Sequence, residues 1–410
     1  MFRTVLLILL TAILSISVFA FQGTLDTTFG GNGMVTFNGN TTEQFGNAVA
    51  VQPNGKIVVA GGIGPAVGNG RDILLLRFNP DGSLDPSFGI NGVVRSQVGI
   101  SFSEAFAVII QRNGKIIVGG LSATGANLIR YNPNGTIDQN FGTNGVTMAG
   151  GMIFLDIAID TDDRILAVGD KFTGVSEFLV QRFNTDGTLD TSYGLNGTAN
   201  VGFFNAHATS LDLLPNGNMV VAGWVNNGNN KDFAVANLTE DGELIRSFGV
   251  DGLVVTDING NDSAFGVAFG PNGSIYVAGE SGLPKKMTAV KYLSNGLLDQ
   301  SFRTGGLITN QAGIVTTNSG SAKAITVERS GQILIAGVDE TSRETLVVQK
   351  LNANGSMARW GKKGSASATY GSLESQGLAM TLFSGSIFVS GQVKVPNIVG
   401  VDVGIAKFHN

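Results

Sequence analysis

Two carboxylates, Asp156 and Asp212, interrupt stretches otherwise made of small residues such as Ala48, Ala50, Ala107, Ala158, Gly266, Ala268 and Ala324. An acidic pair of this kind can hold a divalent metal or share acid and base work. His207 and Lys323 stand just before comparable stretches. The competing reading is a solvated lining with no chemistry. A second patch gathers Phe203, Phe204 and Trp224 with Asn226, Asn227 and Lys231. Aromatic rings beside amides can stack on and hydrogen-bond a sugar or a peptide. Ordinary loop packing accounts for the same residues. A third candidate is Asp257, Asn259 and Asn261, whose oxygens have tolerable spacing for calcium but lack the usual glycine and distal glutamate. No other cofactor is expected.

The rest of the inventory excludes more than it suggests. There are two histidines, His207 and His409, and no cysteine. Disulfides, thiolate metal sites and thiol nucleophiles are therefore out. No HExxH, P-loop or G-x-S-x-G motif occurs. Formal charge is −5 and no long basic run exists, so the electrostatic footprint of a nucleic-acid partner is missing.

Composition then points to architecture. The 410 residues are 43% apolar but only 14% charged, and 59 are glycine, which suggests many tight turns. In the first 20 residues Arg3 precedes an apolar run ending at Val18-Phe19-Ala20. Residues 1–20 are expected to be a secretory signal peptide, with a retained anchor as the alternative. No later stretch is long enough to span a bilayer. The mature chain is expected to be exported, secreted or periplasmic, without stable membrane insertion.

The elements that must position the candidate residues come from a repeat. An aromatic-glycine phrase recurs at Phe29-Gly30, Phe88-Gly89, Phe141-Gly142, Tyr193-Gly194, Phe248-Gly249 and Trp360-Gly361, with Phe302-Arg303 as a variant. The period is about 55 residues. Between these phrases runs a second one, as in "QPNGKIVVAGG" and "LPNGNMVVAGW". Each unit reads as four short strands closed by Asn-Gly or Asp-Gly turns. In the first unit these are 47–51, "KIVVAGG", 72–78 and 92–96. A lone sheet of this kind cannot bury both faces, and stacking such sheets around an axis solves the problem. The chain ends inside a third strand and opens, after residue 20, with the missing fourth. The expected fold is all-β. It is a seven-bladed β-propeller of four-stranded antiparallel blades over residues 21–410, a single domain. Its ring is closed by residues 24–37, which complete the blade of residues 370–410.

"NPDGSLDPSFGINGVV" with "VQPNGKIVVAGG" resembles the delta-60 repeat, a family of propeller units in secreted or surface proteins, mostly bacterial. Residues 264–280 are also similar to NHL and gluconolactonase-like propellers. The resemblance covers nearly all of residues 24–410 and implies a fold and an export route, with no activity and no catalytic motif. Three copies depart in turn detail, at Asp162-Asp163, Arg303 and Trp360.

The repeated turn also resembles a calcium loop, but its first ligand position falls on Arg77, Arg130, Arg182, Lys291 or Lys350. A cation there favours ion pairs instead: Arg77 with Asp85, Arg130 with Asp138, Arg182 with Asp190, Lys291 with Asp299, and Lys407 with Asp26 across the splice. Exposed pairs of this kind are worth about 0–1 kcal/mol each. The aromatic should be a wedge between blades. The loops that vary between copies, such as "GWVNNGNNKD", lie on one face, where binding sites are usually built. The expected function is a monomeric exported scaffold that recognises a glycan or a surface protein through that face. The alternative is a propeller lyase or hydrolase at the channel mouth using Asp156, Asp212 and His207, with or without a divalent metal.

Overall fold

The computed structural model describes residues 22–39, 43–65, 70–99, 101–171, 174–302, 313–341, 343–371, 373–394 and 400–410. The proposed signal peptide and Arg303 lie outside these residues. Within them the fold is all-β, built from antiparallel sheets of four strands.

The first unit shows how the sequence dictates the sheet. Glu43–Val51, Ile57–Gly64, Asp72–Phe78 and Val93–Ser96 pair in sequence order. Turns containing Gly55 (φ 82°) and Gly82 (φ 89°) lie in the first-to-second and third-to-fourth connections of these strands. Between sheets lies the core. Ala48, Val58, Ala60, Ile73, Leu75 and Phe88 of this unit pack against Ala105, Ile116, Val118, Ile129 and Tyr131 of the next. The central strands are apolar on both faces, as expected for a sheet covered on both sides.

Six sheets result rather than seven separate ones. Five have four strands. The sixth has seven, because Ile314–Val327 runs without a break from one unit into the next. Its first part pairs with Lys286–Tyr292 and its second with Ile333–Asp339. Between the third and fourth units only Asn205 separates the corresponding strands, Thr198–Phe204 and Ala206–Leu213.

The two chain ends share a sheet. Met34–Phe37 pairs with Val401–His409 in the register Met34↔Ala406 to Phe37↔Val403. This sheet packs on the first unit through Phe29, Phe388, Val403 and Ile405 against Val59, Leu74 and Leu76.

The aromatic-glycine phrase has the wedge role expected of it. Phe29, Phe88, Phe141, Tyr193, Phe248 and Phe302 are fully buried, and Trp360 nearly so. Each such burial stabilises by roughly 1.5–3 kcal/mol. The following glycine N–H bonds the turn of the next unit: Gly30 to Asp81 O at 2.8 Å, Gly89 to Asn134 O at 2.9 Å, Gly249 to Asn295 O at 2.8 Å. Gly361 makes the matching bond to Gln22 O at 3.0 Å.

The ion pairs form as the sequence suggests, but they are not exposed. Arg77 Nε meets Asp85 Oδ2 at 2.6 Å with both side chains about 5% exposed. Arg130 meets Asp138 at 2.6 Å, Arg182 meets Asp190 at 2.7 Å, Lys291 meets Asp299 at 2.7 Å and Lys407 meets Asp26 at 2.8 Å. Each arginine also covers its wedge ring, with Arg77 4.4 Å from the Phe88 centroid, and donates to a turn carbonyl of the next unit, Pro133 O for Arg77. The 0–1 kcal/mol scale for surface pairs therefore does not apply. Asp85 and Asp138 each also meet a lysine, Lys56 and Lys115, both at 2.7 Å, so two cations share each of these buried carboxylates.

The glycine of the second phrase answers a steric demand. The strand opposite it is bulged in every unit, at Gly46/Ala48 in the first and Ala208/Ser210 in the fourth. The bulge pushes a carbonyl inward, so a Cβ at Gly61 would overlap Phe45 O, and one at Gly223 would overlap His207 O.

Candidate functional site

A central cavity of about 360 Å³ is lined by one strand from each repeat: residues 47–49, 106–108, 155–156, 209–212, 265–268, 323–326 and 378–380. Asp156 and Asp212 both lie on this wall. Their oxygens are engaged. Asp156 Oδ2 accepts from Ser210 Oγ at 3.0 Å and Leu211 N at 3.1 Å, and Oδ1 accepts from Ile157 N at 2.9 Å. Asp212 Oδ2 accepts from Phe269 N at 2.7 Å and Oδ1 from Leu213 N at 2.8 Å. Each carboxylate thus ties its own strand to the inner strand of the next unit. Burial of the Asp156 carboxyl raises it to about 6 against these donors, and the nearby Asp212 charge adds to the rise. Burial likewise raises Asp212.

His207 does not join them. It lies five positions from Asp212 on the same strand, roughly 16 Å away at about 3.3 Å per residue. Its Nδ1 contacts Asp170 Oδ2 at 2.5 Å, and Asp170 Oδ1 accepts Ala208 N at 2.7 Å. Asp170 is buried, and its carboxylate, which can only accept, fits a proton on Nδ1 in this contact. His207 stacks on Trp224, its partner across the strand pair, with centroids 4.0 Å apart and planes at 29°. Lys231 Nζ stands 3.7 Å from the indole centroid. The three form one stack at the end of the fourth unit where the variable loops emerge.

Phe203 and Phe204 part company there. Phe203 is 6% exposed and meets Phe178 edge-on at 5.1 Å, so it belongs to the core and not to a binding shelf. Phe204 is 59% exposed. The two amides mainly shape their loop. Asn226 Oδ1 accepts Gly228 N at 2.9 Å, while Asn227 Nδ2 donates to Asn230 Oδ1 and Asp232 Oδ2, both at 2.7 Å.

The third candidate is regrouped. Asn261 Oδ1 accepts Lys231 N at 3.2 Å, and Asn259 N donates to Asp262 Oδ2 at 3.1 Å. Asp257 instead meets Asp232 and Asp262, with one oxygen of each within 4.8 Å of the others. Burial raises Asp262 to about 6 and also raises Asp232; the neighbouring carboxylates add to both.

Four segments of the chain match one family model. They are residues 52–88, 111–141, 161–193 and 214–248, and the family is described as a beta-propeller domain of unknown function (DUF5122). No curated protein sequence matches the chain. Solved structures similar to it include the polysaccharide lyase Uly1, at 10% identity and TM-score 0.54 over 89% of this chain and 90% of that one. A second is a PL25 ulvan lyase bound to -[GlcA(1-4)Rha3S]-, at 12% identity and TM-score 0.51 over 92% and 96%. At these identities the likeness is one of fold, and it is a propeller likeness that agrees with the sheets described above.

Sequence reasoning missed Asp170 and Asp232; Asp262 closes the stretch from Asp257 that it read as a calcium candidate. Asp170 is 37 residues from His207 and on another sheet. Alternation along Thr198–Phe204 did carry the signal that separates Phe203 from Phe204, since its exposure alternates strictly from Ala199 onward.

Proposed function

We propose that this chain is an exported binding scaffold, a closed ring of seven propeller units that recognises a glycan or a surface protein through the loop face of its fourth unit. The observation that carries this is the His207–Trp224–Lys231 stack beside exposed Phe204, on the face where loops vary. An exposed ring, an indole edge and an ammonium suit a saccharide or an aromatic-rich peptide. The seven strands around one cavity, and the packing of the two-ended sheet on the first unit, support the ring.

The test is a binding panel of neutral and acidic polysaccharides and surface proteins, read by calorimetry. Phe204→Ala and Trp224→Ala should each weaken the ligand found about tenfold, or ~1.4 kcal/mol. A ligand held equally by both variants, or none on the panel, overturns the reading.

One observation favours a second reading. Buried Asp170 orients His207 as a general base would be oriented, leaving Nε2 to take a proton. A lyase or hydrolase built on this pair would act at the loop face, away from Asp156 and Asp212. Release of unsaturated uronate from an acidic polysaccharide, lost in His207→Gln and kept in Asp156→Ala, would establish it.

A further inference from the structure

Asp232 is the second residue of the strand Lys231–Leu238, while Asp257 and Asp262 flank the connection into the next sheet. Their convergence within 4.8 Å brings three formal negative charges together. Among the described residues, none of the groups that bear on Asp232 or Asp262 is a cation. Lys231, the neighbour in sequence, turns its ammonium onto Trp224 instead.

A second observation is independent of the clustering. Asp262 is fully buried and Asp232 is 4% exposed, yet Oδ1 of each has no hydrogen-bond partner. Oδ2 of Asp262 takes the N–H groups of Ile258 at 2.7 Å and Asn259 at 3.1 Å, and Oδ2 of Asp232 takes the Asn227 amide. Those donors orient both carboxylates and leave Oδ1 of each without a donor, while each carboxylate offers one oxygen to the group it forms with Asp257. A buried anionic oxygen without a partner is costly, and a shared cation removes that cost.

We propose that Asp232, Asp257 and Asp262 form a calcium site that ties the fourth unit to the fifth beneath the loop face. The ligand chemistry selects the ion. All three donors are hard oxygens, with no imidazole or thiolate among them, which disfavours zinc and copper. Calcium bonds oxygen at about 2.3–2.6 Å, so ligand oxygens up to about 4.8 Å apart can share one ion. Magnesium keeps several waters in a strict octahedron, and two buried carboxylates leave little room for them. The ion would also hold the loop of Asn226–Asn230 through Asn227, and so the position of Lys231. The site stands on its own oxygens and does not depend on the shelf binding anything.

The experiment uses chelator-treated protein titrated with calcium, magnesium and terbium. Calorimetry should show one calcium per chain, with magnesium at least tenfold weaker. Terbium should show tryptophan-sensitised emission, because Trp224 lies close by, and Trp224→Phe should lose most of that emission while keeping its calcium affinity. Asp257→Asn, at an exposed position that does not threaten folding, should weaken calcium at least tenfold, and Asp262→Asn should weaken it further. Absence of saturable calcium binding, or affinity unchanged in Asp257→Asn, overturns the site. Magnesium binding as tight as calcium overturns the choice of ion. Full emission in Trp224→Phe overturns the location.

Discussion

Lys407 sets its ammonium 2.8 Å from Asp26 Oδ2 and so clamps the strand Val401–His409 to the turn that precedes Met34–Phe37. Burial alone would raise Asp26. Hydrogen bonds from Lys407 and Thr28, with the lysine charge, outweigh it and lower the group to about 2. A carboxyl depressed in the folded state stabilises above its unfolded value of about 3.8, and that contribution fades as pH falls through about 2. Asp26→Asn should therefore destabilise by roughly 1–3 kcal/mol at pH 7 and by little near pH 2. Guanidinium melts across that range measure it. An equal loss at both pH values would contradict the clamp.

The buried arginines predict a contrast between two ion pairs. Arg77→Ala removes one of the two cations on Asp85, with Lys56 left 2.7 Å away, together with the cover of Phe88 and the latch to the next unit, and should cost roughly 2–3 kcal/mol. Arg95 also pairs with a carboxylate, Asp72 at 2.9 Å, but its side chain is 55% exposed. Arg95→Ala should cost under about 1 kcal/mol. Comparable thermal shifts in the two variants would show that burial does not govern these pairs.

Asp156 gives a pH signature of the opposite sense. Its carboxyl is raised to about 6 in the fold against a reference of 3.8. Stability from a raised group is complete below about 3.8 and is lost as pH rises through about 6. Asp156→Ala also orphans the Leu211 N–H, a cost of roughly 1–3 kcal/mol. The variant should therefore be more destabilised relative to the parent at pH 4 than at pH 7.5. A difference that grows with pH would mean that the carboxylate, and not the acid, is the form the fold prefers.

A methyl group separates two glycines. Gly61→Ala puts a Cβ into the bulged carbonyl of Phe45 and should cost more than about 3 kcal/mol or prevent folding. Gly31 has φ 81° but nothing within 4 Å of a Cβ, so Gly31→Ala should cost only about 1 kcal/mol. Soluble yield and melting temperature of the pair check the argument.

The repeat made most of the fold legible. Turns at Gly55 and Gly82, wedges at Phe88 and its kin, and the pairing of Arg77 with Asp85 all follow from local spacing, and each is present. The burial of those pairs was not legible, because it depends on the Pro133 turn of the next unit, which no single repeat contains. The unbroken strand at Ile314–Val327 was hidden for a similar reason: the period suggests a loop, and the local backbone bridges it. The candidate sites were legible as residue types but not as partnerships. Asp170 with His207, and Asp232 with Asp262, are joined only by neighbouring sheets.

Because Met34–Phe37, among the described residues, finds its partner strand in Val401–His409, an emerging polypeptide cannot complete that sheet until residues 401–409 have been made. Until then Met34–Phe37 waits as an unpaired edge, the kind of segment that a holding chaperone would shield.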